Sequence, residues 1–411
     1  MRRWTTRLAA ALAALMLTAC TAETEDGTEP RRAEGDRPAT SVDSSEPTDL
    51  AGPTGASDTT TTPPFSPREI TVAMNGDILL HEGLWATAEI DASRTGRGEM
   101  DFRPLLAHMK PVFGGADLAI CHMETPLAPA GGPFAGYPVF SVPPQIVPAL
   151  EWTGFDACTT ASNHSVDQGF DGLVRTIEDF DRAGLDHTGT FATRHASRQP
   201  LVMDAGGVKV GLVSATYGTN GIPLPDGAPW SVNLIESQRI VRQAADARAA
   251  GAEIVIVALH WGLEYTNPPT EDQLAVAEVL TQSPDIDLVY GHHAHVVQPY
   301  DKIHGTWVLY GQGNAVAQQS TDVPGLYDGN TARVTFTERK QGGFRVSSLE
   351  YIPTMVTTFE GSTPMRYLDA ARALDQRRFR ARHDELQATF DRVTEIIGME
   401  GAFKRGVSLG D

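Results

Sequence analysis

The chain has 411 residues and a net charge of −19, and 41% of its residues are hydrophobic. This composition is ordinary for a globular protein with one large domain and appendages, or with two domains. The acidic balance and the lack of a basic patch in the sequence exclude nucleic acid as a partner, because binding through phosphate contacts requires clustered lysine and arginine.

The first twenty residues are typical of an export signal. Three arginines at positions 2, 3 and 7 precede the apolar run LAAALAALMLTA, which is too short to cross a bilayer as a permanent helix. The segment ends in Leu17-Thr18-Ala19-Cys20 and resembles the bacterial lipobox, whose cysteine is acylated and becomes the N-terminus. We therefore predict a lipoprotein signal peptide over 1–20 with lipidation at Cys20. The alternative is a simple cleaved signal with a chance cysteine.

Residues 21–67 are predicted to be a disordered acidic linker. They contain ten acidic residues against three arginines, with one aromatic residue and almost no aliphatic side chains. Such a segment cannot bury enough apolar surface to fold. We interpret it as a tether that holds a folded domain away from a membrane, and the folded part begins near Arg68.

From Arg68 onward, short apolar segments alternate with amphipathic helical patterns. The predicted strands are REITVAMNGDIL, ADLAICHMETPL, GFDACTTASNHSVDQG, VKVGLVSATYG, EIVIVALHWGLEY, DIDLVYGHHAH and TWVLYGQGNAV. Helices are predicted after the third, fourth and fifth of them, at 170–185, 236–252 and 271–283. This alternation predicts an α/β fold with a largely parallel sheet. Two further strands, ARVTFTE and FRVSSLEYIP, and a long charged helix from about Met365 to Ile397 complete the pattern.

Polar residues that can bind metals follow these strands at their carboxyl ends, where open α/β sheets place their sites. They are Asp77, Glu124, Asn163, His164, His260, His292, His293 and His295. Carboxylates, an amide and several imidazoles suit manganese, iron, zinc or nickel rather than calcium, and a shared carboxylate bridges the ions of two-metal sites. The pattern predicts two divalent metal ions at one edge of the sheet. The alternative is a metal-free structural network of the same residues.

Six segments carry a more specific resemblance. They are MNGDILLHEG, HMETPL, the stretch from FSVPPQ at 140 to HTGT at 190, HWGLEY, GHHAHVVQP and YGQGNAV. Over residues 70–320, their sequences and their order along the chain resemble the blocks of the CapA family. This family comprises the poly-γ-glutamate capsule biosynthesis proteins of the calcineurin-like metallophosphatase superfamily. The resemblance implies a metallophosphatase-like four-layer α/β/β/α sandwich over 68–355. A C-terminal extension of strand and helix follows, helical over 356–411.

The resemblance also assigns roles to the strand-end residues. It implies that Asp77 and His295 ligate the first ion and that Glu124 bridges the two ions. Three residues are implied to hold the second ion: Asn163, His260 and His292. His164 is implied to face the leaving group or to orient the nucleophile, with Asp167 as the partner that orients its ring.

Three positions depart from the usual pattern of the family. His122 and Ser162 stand where the family usually has Asn, and Ala315 stands where a Phe follows the Gly-Asn element. These changes affect the fine geometry and leave the substrate open.

Three more histidines are candidate additional ligands: His81, His122 and His293. The alternative for His81 is a solvated residue in a loop. The alternative for His122 is a hydrogen bond to a carbonyl group at the end of a strand. The alternative for His293 is a side chain that points away from the metal site, because adjacent strand residues face opposite sides of a sheet. Trp261 and Asn314 are predicted to line the substrate site, with packing at the sheet edge as the alternative for Trp261.

Cys121 and Cys158 lie in the second and third predicted strands. Neighbouring strands are about 4.8 Å apart, which brings paired cysteines near disulfide range, and an exported protein permits the bond. We predict that these strands are neighbours. Whether the cysteines are joined or are two small buried thiols stays open.

The resemblance leads to a hypothesis of function. Together with the predicted lipoprotein signal at 1–20, it implies an exported, lipid-anchored metal-dependent hydrolase in the cell envelope or on the outer face of the cytoplasmic membrane. The protein would act in synthesis, release or anchoring of an anionic polymer such as poly-γ-glutamate. The implied partners are the membrane, polymer synthesis and export proteins, and a polymer or phosphoester substrate. Two alternatives stay open: an envelope phosphoesterase with another substrate, and a non-catalytic scaffold of an export complex.

Overall fold

The computed structural model describes residues 65–410. The predicted signal peptide at 1–20, the lipidation site Cys20 and all but the last three residues of the predicted linker at 21–67 lie outside these residues. The predictions for them therefore stay predictions.

The described residues form fifteen strands and nine α-helices. The strands are β1 (Glu69–Leu79), β2 (Leu118–Met123), β3 (Ala157–Thr159), β4 (Asp186–Thr188), β5 (Leu201–Ala205), β6 (Val208–Thr216), β7 (Ile254–His260), β8 (Leu288–His292), β9 (Tyr300–Ile303), β10 (Thr306–Leu309), β11 (Asn314–Ala317), β12 (Asp328–Glu338), β13 (Phe344–Val356), β14 (Tyr367–Asp369) and β15 (Val407–Leu409). The helices are α1 (Glu82–Thr95), α2 (Arg103–Leu106), α3 (Lys110–Phe113), α4 (Val147–Thr153), α5 (Gly169–Ala183), α6 (Ser237–Ala249), α7 (Glu271–Thr281), α8 (Ala370–Leu374) and α9 (His383–Ile397). Within residues 65–410, no helix combines the length and the apolarity that crossing a membrane requires.

Nine strands form a large mixed sheet in the order β14-β13-β12-β1-β2-β3-β4, with β11 beside β1 and β15 beside β13. Strands β1 to β4 run parallel to one another. Strands β12, β13 and β14 pair in antiparallel fashion on the other side of β1. The prediction of a parallel arrangement therefore holds for one half of this sheet.

Six strands form a smaller sheet in the order β5-β6-β7-β8-β10-β9. The four central strands are parallel, and β5 and β9 close the two edges as antiparallel strands. Every residue of β7 and β8 is buried, as expected for parallel strands that are covered on both faces.

Three apolar cores show that the two sheets stack face to face between two layers of helices. Met74 of the large sheet and Ile256 of the small sheet share the central core. The outer face of the large sheet packs on helices α1, α2, α4 and α5, with Phe180 among the buried residues. The outer face of the small sheet packs on α6 and α7, through Ile240 and Leu280. The predicted four-layer α/β/β/α sandwich is confirmed.

The predicted strand TWVLYGQGNAV is divided between the two sheets. Its first part is β10 in the small sheet and its last part is β11, which pairs with β1 in the large sheet. Gly313 makes the crossing possible, because its φ is 65° and a Cβ atom there would press on the carbonyl oxygen of Asp328. The crossing places Asn314 in register with Asp77.

The predicted single helix over 365–397 is wrong. Tyr367 to Asp369 form β14 on the edge of β13, and the Asp369 side chain caps α8 by accepting the backbone N–H of Arg372 at 2.9 Å. The charged pattern of the segment is helical, but Tyr367 and Leu368 are buried in the sheet, and this packing decides their conformation. The extension therefore adds strands β14 and β15 to the sandwich as well as helices.

Cys121 and Cys158 are paired directly opposite each other on β2 and β3, which confirms that their strands are neighbours. Their Cα atoms are 4.4 Å apart and their sulfurs form a disulfide. The bond lies at the carboxyl ends of two strands of the large sheet, one residue before His122 and Thr159.

We expect thiol labelling of the denatured protein to find two more reactive thiols after reduction than before it. The disulfide closes a chain segment of 37 residues. The double variant Cys121→Ala/Cys158→Ala is therefore expected to lose about 3–4 kcal/mol of unfolding free energy. Denaturant unfolding measures this loss, and full reactivity of both thiols in the unreduced protein would contradict the bond.

Candidate metal centre

The two sheets approach each other at one edge, where the carboxyl ends of β1, β2 and β3 face those of β7 and β8. His292 Nδ1 donates to Asp77 Oδ1 at 2.9 Å, and the rings of His122 and His260 share a hydrogen bond of 3.0 Å. Each of these four side chains belongs to a residue that is at most 1% exposed. The strand-end residues predicted from the sequence therefore form one buried cluster that joins the sheets.

Glu124 lies within this cluster, just after β2. Its Oε1 is 3.7 Å from His295 Nε2 and 3.9 Å from His260 Nε2. Neither carboxylate oxygen has a hydrogen-bond partner within residues 65–410, although both are buried. Because a buried carboxylate without a partner is costly, this position fits an anion that bridges two cations.

Asp77 and His295 complete the first group of candidate ligands. His295 Nδ1 is 3.1 Å from Asp77 Oδ2 and 3.1 Å from Asn314 Oδ1, so Nδ1 carries a proton and Nε2 faces Glu124. Asp77, Glu124 and His295 offer ligand atoms within 4.8 Å of one another. Such spacing fits atoms that share one ion, since each ligand lies about 2.1 Å from it.

Asn163 and His260 form the second group of candidate ligands. Asn163 Oδ1 is 2.9 Å from His260 Nε2. The amide nitrogen of Asn163 donates to Asn220 Oδ1 at 3.2 Å, which fixes the orientation of the Asn163 amide. Two of the three residues predicted to hold the second ion are thus in direct contact.

His292 and His293 both lie within the cluster. Strand β8 ends at His292, and His293 has a φ of 88°. The strand alternation of side-chain directions therefore stops before His293, and its side chain does not turn away from the cluster. The His292 ring stacks on His122 with centroids 3.9 Å apart, and the His293 ring lies 4.8 Å from that of His260. His292 Nε2 and His293 Nδ1 are buried atoms without a hydrogen-bond partner in the described chain. Both residues are candidates for the remaining ligand of the second ion.

Burial and mutual charge shift the acid–base properties of the cluster. Burial alone raises the pKa of Asp77, but hydrogen bonds from His292 and His295 outweigh it and hold that pKa well below its usual range. Burial raises the pKa of Glu124 well above its usual range, and His295 opposes this only in part. Burial lowers the pKa of His295, but the charge of Glu124 and the bond to Asp77 outweigh it and raise that pKa to about 9. A bound cation would favour the ionised form of Glu124.

His164 is oriented by Asp167, as predicted. His164 Nδ1 donates to Asp167 Oδ2 at 2.7 Å, and the same oxygen accepts the backbone N–H of Phe140 at 2.8 Å. The Phe140 ring meets the His164 ring edge-on, with centroids 4.8 Å apart. These contacts fix the imidazole and direct its Nε2 away from Asp167.

The prediction that Trp261 lines the substrate site is wrong. The residue is 3% exposed, and its indole N–H donates to the carbonyl oxygen of Tyr310 at 2.8 Å. Because it follows His260 at the end of the same strand, its side chain lies on the opposite face of the small sheet, in the outer core.

Asn314 positions a candidate ligand rather than lining the substrate site. It is fully buried, its amide nitrogen donates to the carbonyl oxygens of His295 and Leu326, and its amide oxygen accepts from His295 Nδ1.

His81 is half-buried against the Phe140 ring, with Nδ1 3.0 Å from the carbonyl oxygen of Leu79.

His122 bonds side chains and not the strand-end carbonyl that was one of its two predicted roles. Its Nδ1 lies 2.8 Å from Thr159 Oγ1 and its Nε2 lies 3.0 Å from His260 Nδ1. Asp77, His122 and His260 also offer ligand atoms within 4.8 Å of one another. His122 is therefore either a ligand or the support of one.

Sequence reasoning missed three residues at the border of the cluster. Glu264, with His293 and His295, offers ligand atoms within 4.8 Å. Tyr217 and Asn220 come from the loop after β6, with the Tyr217 ring 4.5 Å from that of His293. The available signal for Glu264 was its place in the HWGLEY segment, four residues after His260. For the loop after β6 the sequence held no comparable signal.

The donor set as a whole fits divalent metal ions. It combines a buried carboxylate without a partner in the described chain with two imidazole nitrogens that lie within 4 Å of it. Residues 71–319 match the model of the family described as bacterial capsule synthesis protein PGA_cap. The chain belongs to this family.

Individual PGA_cap relatives agree with this assignment and with the resemblance found over residues 70–320. The chain is similar to the capsule biosynthesis protein CapA of Bacillus anthracis, at 29% identity over 178 residues, which are 43% of each protein. It is also similar to the "Probable polyglutamine synthesis accessory protein" of Mycobacterium tuberculosis, at 30% identity over 218 residues, 49% of this chain and 55% of the relative. The chain thus spans about half the length of the curated relatives it matches.

Two of the solved structures similar to this PGA_cap member carry the names of a phosphoesterase and a nucleotidase. One is the calcineurin-like phosphoesterase YfkN of Bacillus subtilis, with a TM-score of 0.40 and 13% identity over 80% of this chain and 98% of the other. Another is a 5'-nucleotidase precursor of Thermus thermophilus, with a TM-score of 0.40 and 14% identity over 73% of this chain and 54% of the other. The arrangement of the layers itself is given by the two sheets and the three cores described above.

Proposed function

We propose that the protein is an exported, membrane-tethered metal-dependent hydrolase that uses two divalent ions and acts on an anionic capsule polymer such as poly-γ-glutamate. One observation carries the metal-dependent part of the proposal: the buried carboxylate of Glu124 has no hydrogen-bond partner in the described chain and lies within 4 Å of two imidazole nitrogens. Membership of the capsule synthesis family supports the polymer as the substrate class. Synthesis, release and anchoring of the polymer all require its bonds to be formed or cut.

The chain's own residues have separable tasks in such a reaction. Asp77, Glu124 and His295 would hold one ion, and Asn163 and His260 would hold the other with Glu124 and either His292 or His293. Bound ions supply Lewis acidity at the bond to be cleaved. His164 carries its ring proton on Nδ1 towards Asp167, which leaves Nε2 to exchange a proton with the substrate. Hydrolysis adds water across the bond, so Nε2 would first accept a proton from the attacking water and then give that proton to the leaving group.

Metal analysis of protein purified without chelator, followed by activity assays, tests this function. We expect two divalent ions per chain and shortening of poly-γ-glutamate that stops when chelator is added. Cleavage of a generic phosphodiester but not of the polymer would instead assign an envelope phosphoesterase. Bound metal with neither substrate cleaved would assign the scaffold of an export complex, and wild-type protein that binds no divalent ion would end the hydrolase proposal.

Lipid anchoring at Cys20 is the localisation that we propose. We expect mass spectrometry of the mature protein to find an acylated cysteine at its N-terminus, because Leu17-Thr18-Ala19-Cys20 matches the lipobox. The variant Cys20→Ser is expected to leave the membrane fraction. An unmodified N-terminus at another position in wild-type protein would contradict the anchor.

A further inference from the structure

Hydrogen bonds run in series behind the proposed second metal position, from β3 through β2 to β7. Thr159 Oγ1 lies 2.8 Å from His122 Nδ1. His122 Nε2 lies 3.0 Å from His260 Nδ1. His260 Nε2 in turn lies 2.9 Å from Asn163 Oδ1. We call the first three residues the Thr159–His122–His260 string, and all of them are buried.

Both imidazoles of the string are buried, and their four ring nitrogens form hydrogen bonds with a hydroxyl group, an amide oxygen and each other. Because burial disfavours the charged form of an imidazole, both rings are neutral. Each ring therefore carries one N–H, on either of its nitrogens. Because a hydrogen bond needs one donor and one acceptor, the string has two self-consistent directions.

In the first direction every group is satisfied within the protein. The hydroxyl of Thr159 donates to His122 Nδ1, and His122 Nε2 donates to His260 Nδ1. His260 Nε2 then donates to the amide oxygen of Asn163. That oxygen is an acceptor, because the amide nitrogen of Asn163 donates to Asn220.

In the second direction the string presents a lone pair to the cluster. The hydroxyl of Thr159 also lies 3.3 Å from the carbonyl oxygen of Cys121, which can only accept. When the hydroxyl turns there, Thr159 Oγ1 accepts from His122 Nδ1, and His122 Nε2 accepts from His260 Nδ1. His260 Nε2 and Asn163 Oδ1 are then two acceptors 2.9 Å apart, an arrangement that is favourable only with a cation between them.

We propose that the Thr159–His122–His260 string reverses direction when the second ion binds, and that His122 is a positioning residue for His260. The inference rests on the proposed metal centre. The string carries three protons in both directions, because the hydroxyl keeps its proton and the proton of each ring changes nitrogen by exchange with water. His260 thus becomes a ligand without net loss of a proton from the string, and its ring stays fixed in both states.

Nitrogen NMR of histidine-labelled mature protein tests the reversal directly. The signals of His122 are assigned by their loss in His122→Gln. We expect the proton of His122 to be on Nε2 in metal-free protein and on Nδ1 after addition of Zn²⁺. The same tautomer in both states, or direct coordination of His122 to the ion, would overturn the inference. Failure of the proposed metal centre would show differently, as wild-type protein that binds no Zn²⁺.

A matched pair of variants tests the support that the string gives. Thr159→Val keeps the size of the side chain and removes the hydroxyl, so the second Zn²⁺ is expected to bind about 10–100-fold more weakly. Thr159→Ser keeps the hydroxyl and is expected to bind as wild type does. His108→Gln removes a buried histidine that contacts Arg372 and Gln376 instead, and it controls for loss of a buried ring. Wild-type affinity in a folded Thr159→Val protein would overturn the inference, and if Thr159→Val does not fold, a weakened second site in Thr159→Ser would do so.

Discussion

Replacing Glu124 by alanine is expected to remove most of the bound metal and all hydrolytic activity together. Its Oε1 lies within 4 Å of both His295 Nε2 and His260 Nε2, and its carboxylate is the anion placed to screen two cations from each other. If Glu124 bridges two ions as proposed, its removal would let the ions repel each other and would take an oxygen ligand from each. Metal content per chain and cleavage of the substrate measure the two losses on the same preparation.

The control for this prediction is a buried carboxylate outside the cluster. Asp101 is 2% exposed and is held by Arg103 and Thr95, so Asp101→Asn is expected to keep the metal content of the wild type. Glu124→Gln preserves the shape of the side chain and is expected to behave like Glu124→Ala, because the charge is the property required. Full metal content in either Glu124 variant would refute the bridge.

Replacing His164 by alanine is expected to leave metal content near that of the wild type and to reduce activity about 10²–10⁴-fold, as for other positioned acids and bases. The reason is its geometry: the Nδ1 proton is held by Asp167, and the ring is fixed against Phe140. Activity on a generic phosphodiester and on the polymer gives the size of the loss. Asp167→Asn is expected to lose less, because the ring remains present but less well oriented.

The matched control is a second histidine and aspartate pair, a half-buried histidine beside an exposed aspartate outside the cluster. His187 Nε2 lies 3.2 Å from Asp181 Oδ1, and His187→Ala is expected to change neither metal content nor activity. A His164→Ala protein that loses its metal would mean that His164 is a ligand and not the acid or base. The expected contrast between the Glu124 and His164 variants separates metal binding from proton transfer. Misfolding would instead reduce metal content and activity in both variants.

Strand ends were the part of the site that the sequence predicted well. Asp77, His260 and His295 each follow an apolar segment, and parallel strands in sandwich folds bring such ends to one edge. The resemblance to the CapA family added the order of the ligands and the pairing of His164 with Asp167. The strand ends and the family motifs can both be recognised from local sequence, so they could be identified without knowledge of the tertiary structure.

Positions decided by a single backbone angle or by packing could not be predicted in the same way. His293 faces the cluster because its φ is positive, and an alternating pattern carries no information about where alternation stops. Trp261 is one residue beyond His260, and only the tertiary structure shows that its side chain packs in the outer core of the small sheet. Glu264 and Asn220 reach the cluster from loops, whose paths depend on tertiary contacts such as those of Tyr265 with Ala294 and of Asn220 with Asn163.

The same limit applies to the fold. The helical period of 365–397 was correct over α9, but burial of Tyr367 and Leu368 against β13 overrode it in the first turn. The strand predicted over 306–316 had the right composition, and its division between two sheets depends on Gly313, whose sequence context resembles an ordinary turn.

The Cys121–Cys158 disulfide has a practical consequence for preparing the protein. It lies directly behind two strand ends, one of which carries His122 and Glu124 while the other leads from Thr159 to Asn163. Material produced in a reducing cytoplasm would have these two strand ends joined only by hydrogen bonds, and residues on both sides of the cluster would be held less firmly. Metal content should therefore not be compared between protein made in the cytoplasm and protein made in an oxidising compartment. A lower metal occupancy in the cytoplasmic protein would reflect the missing disulfide and not the affinity of the native centre.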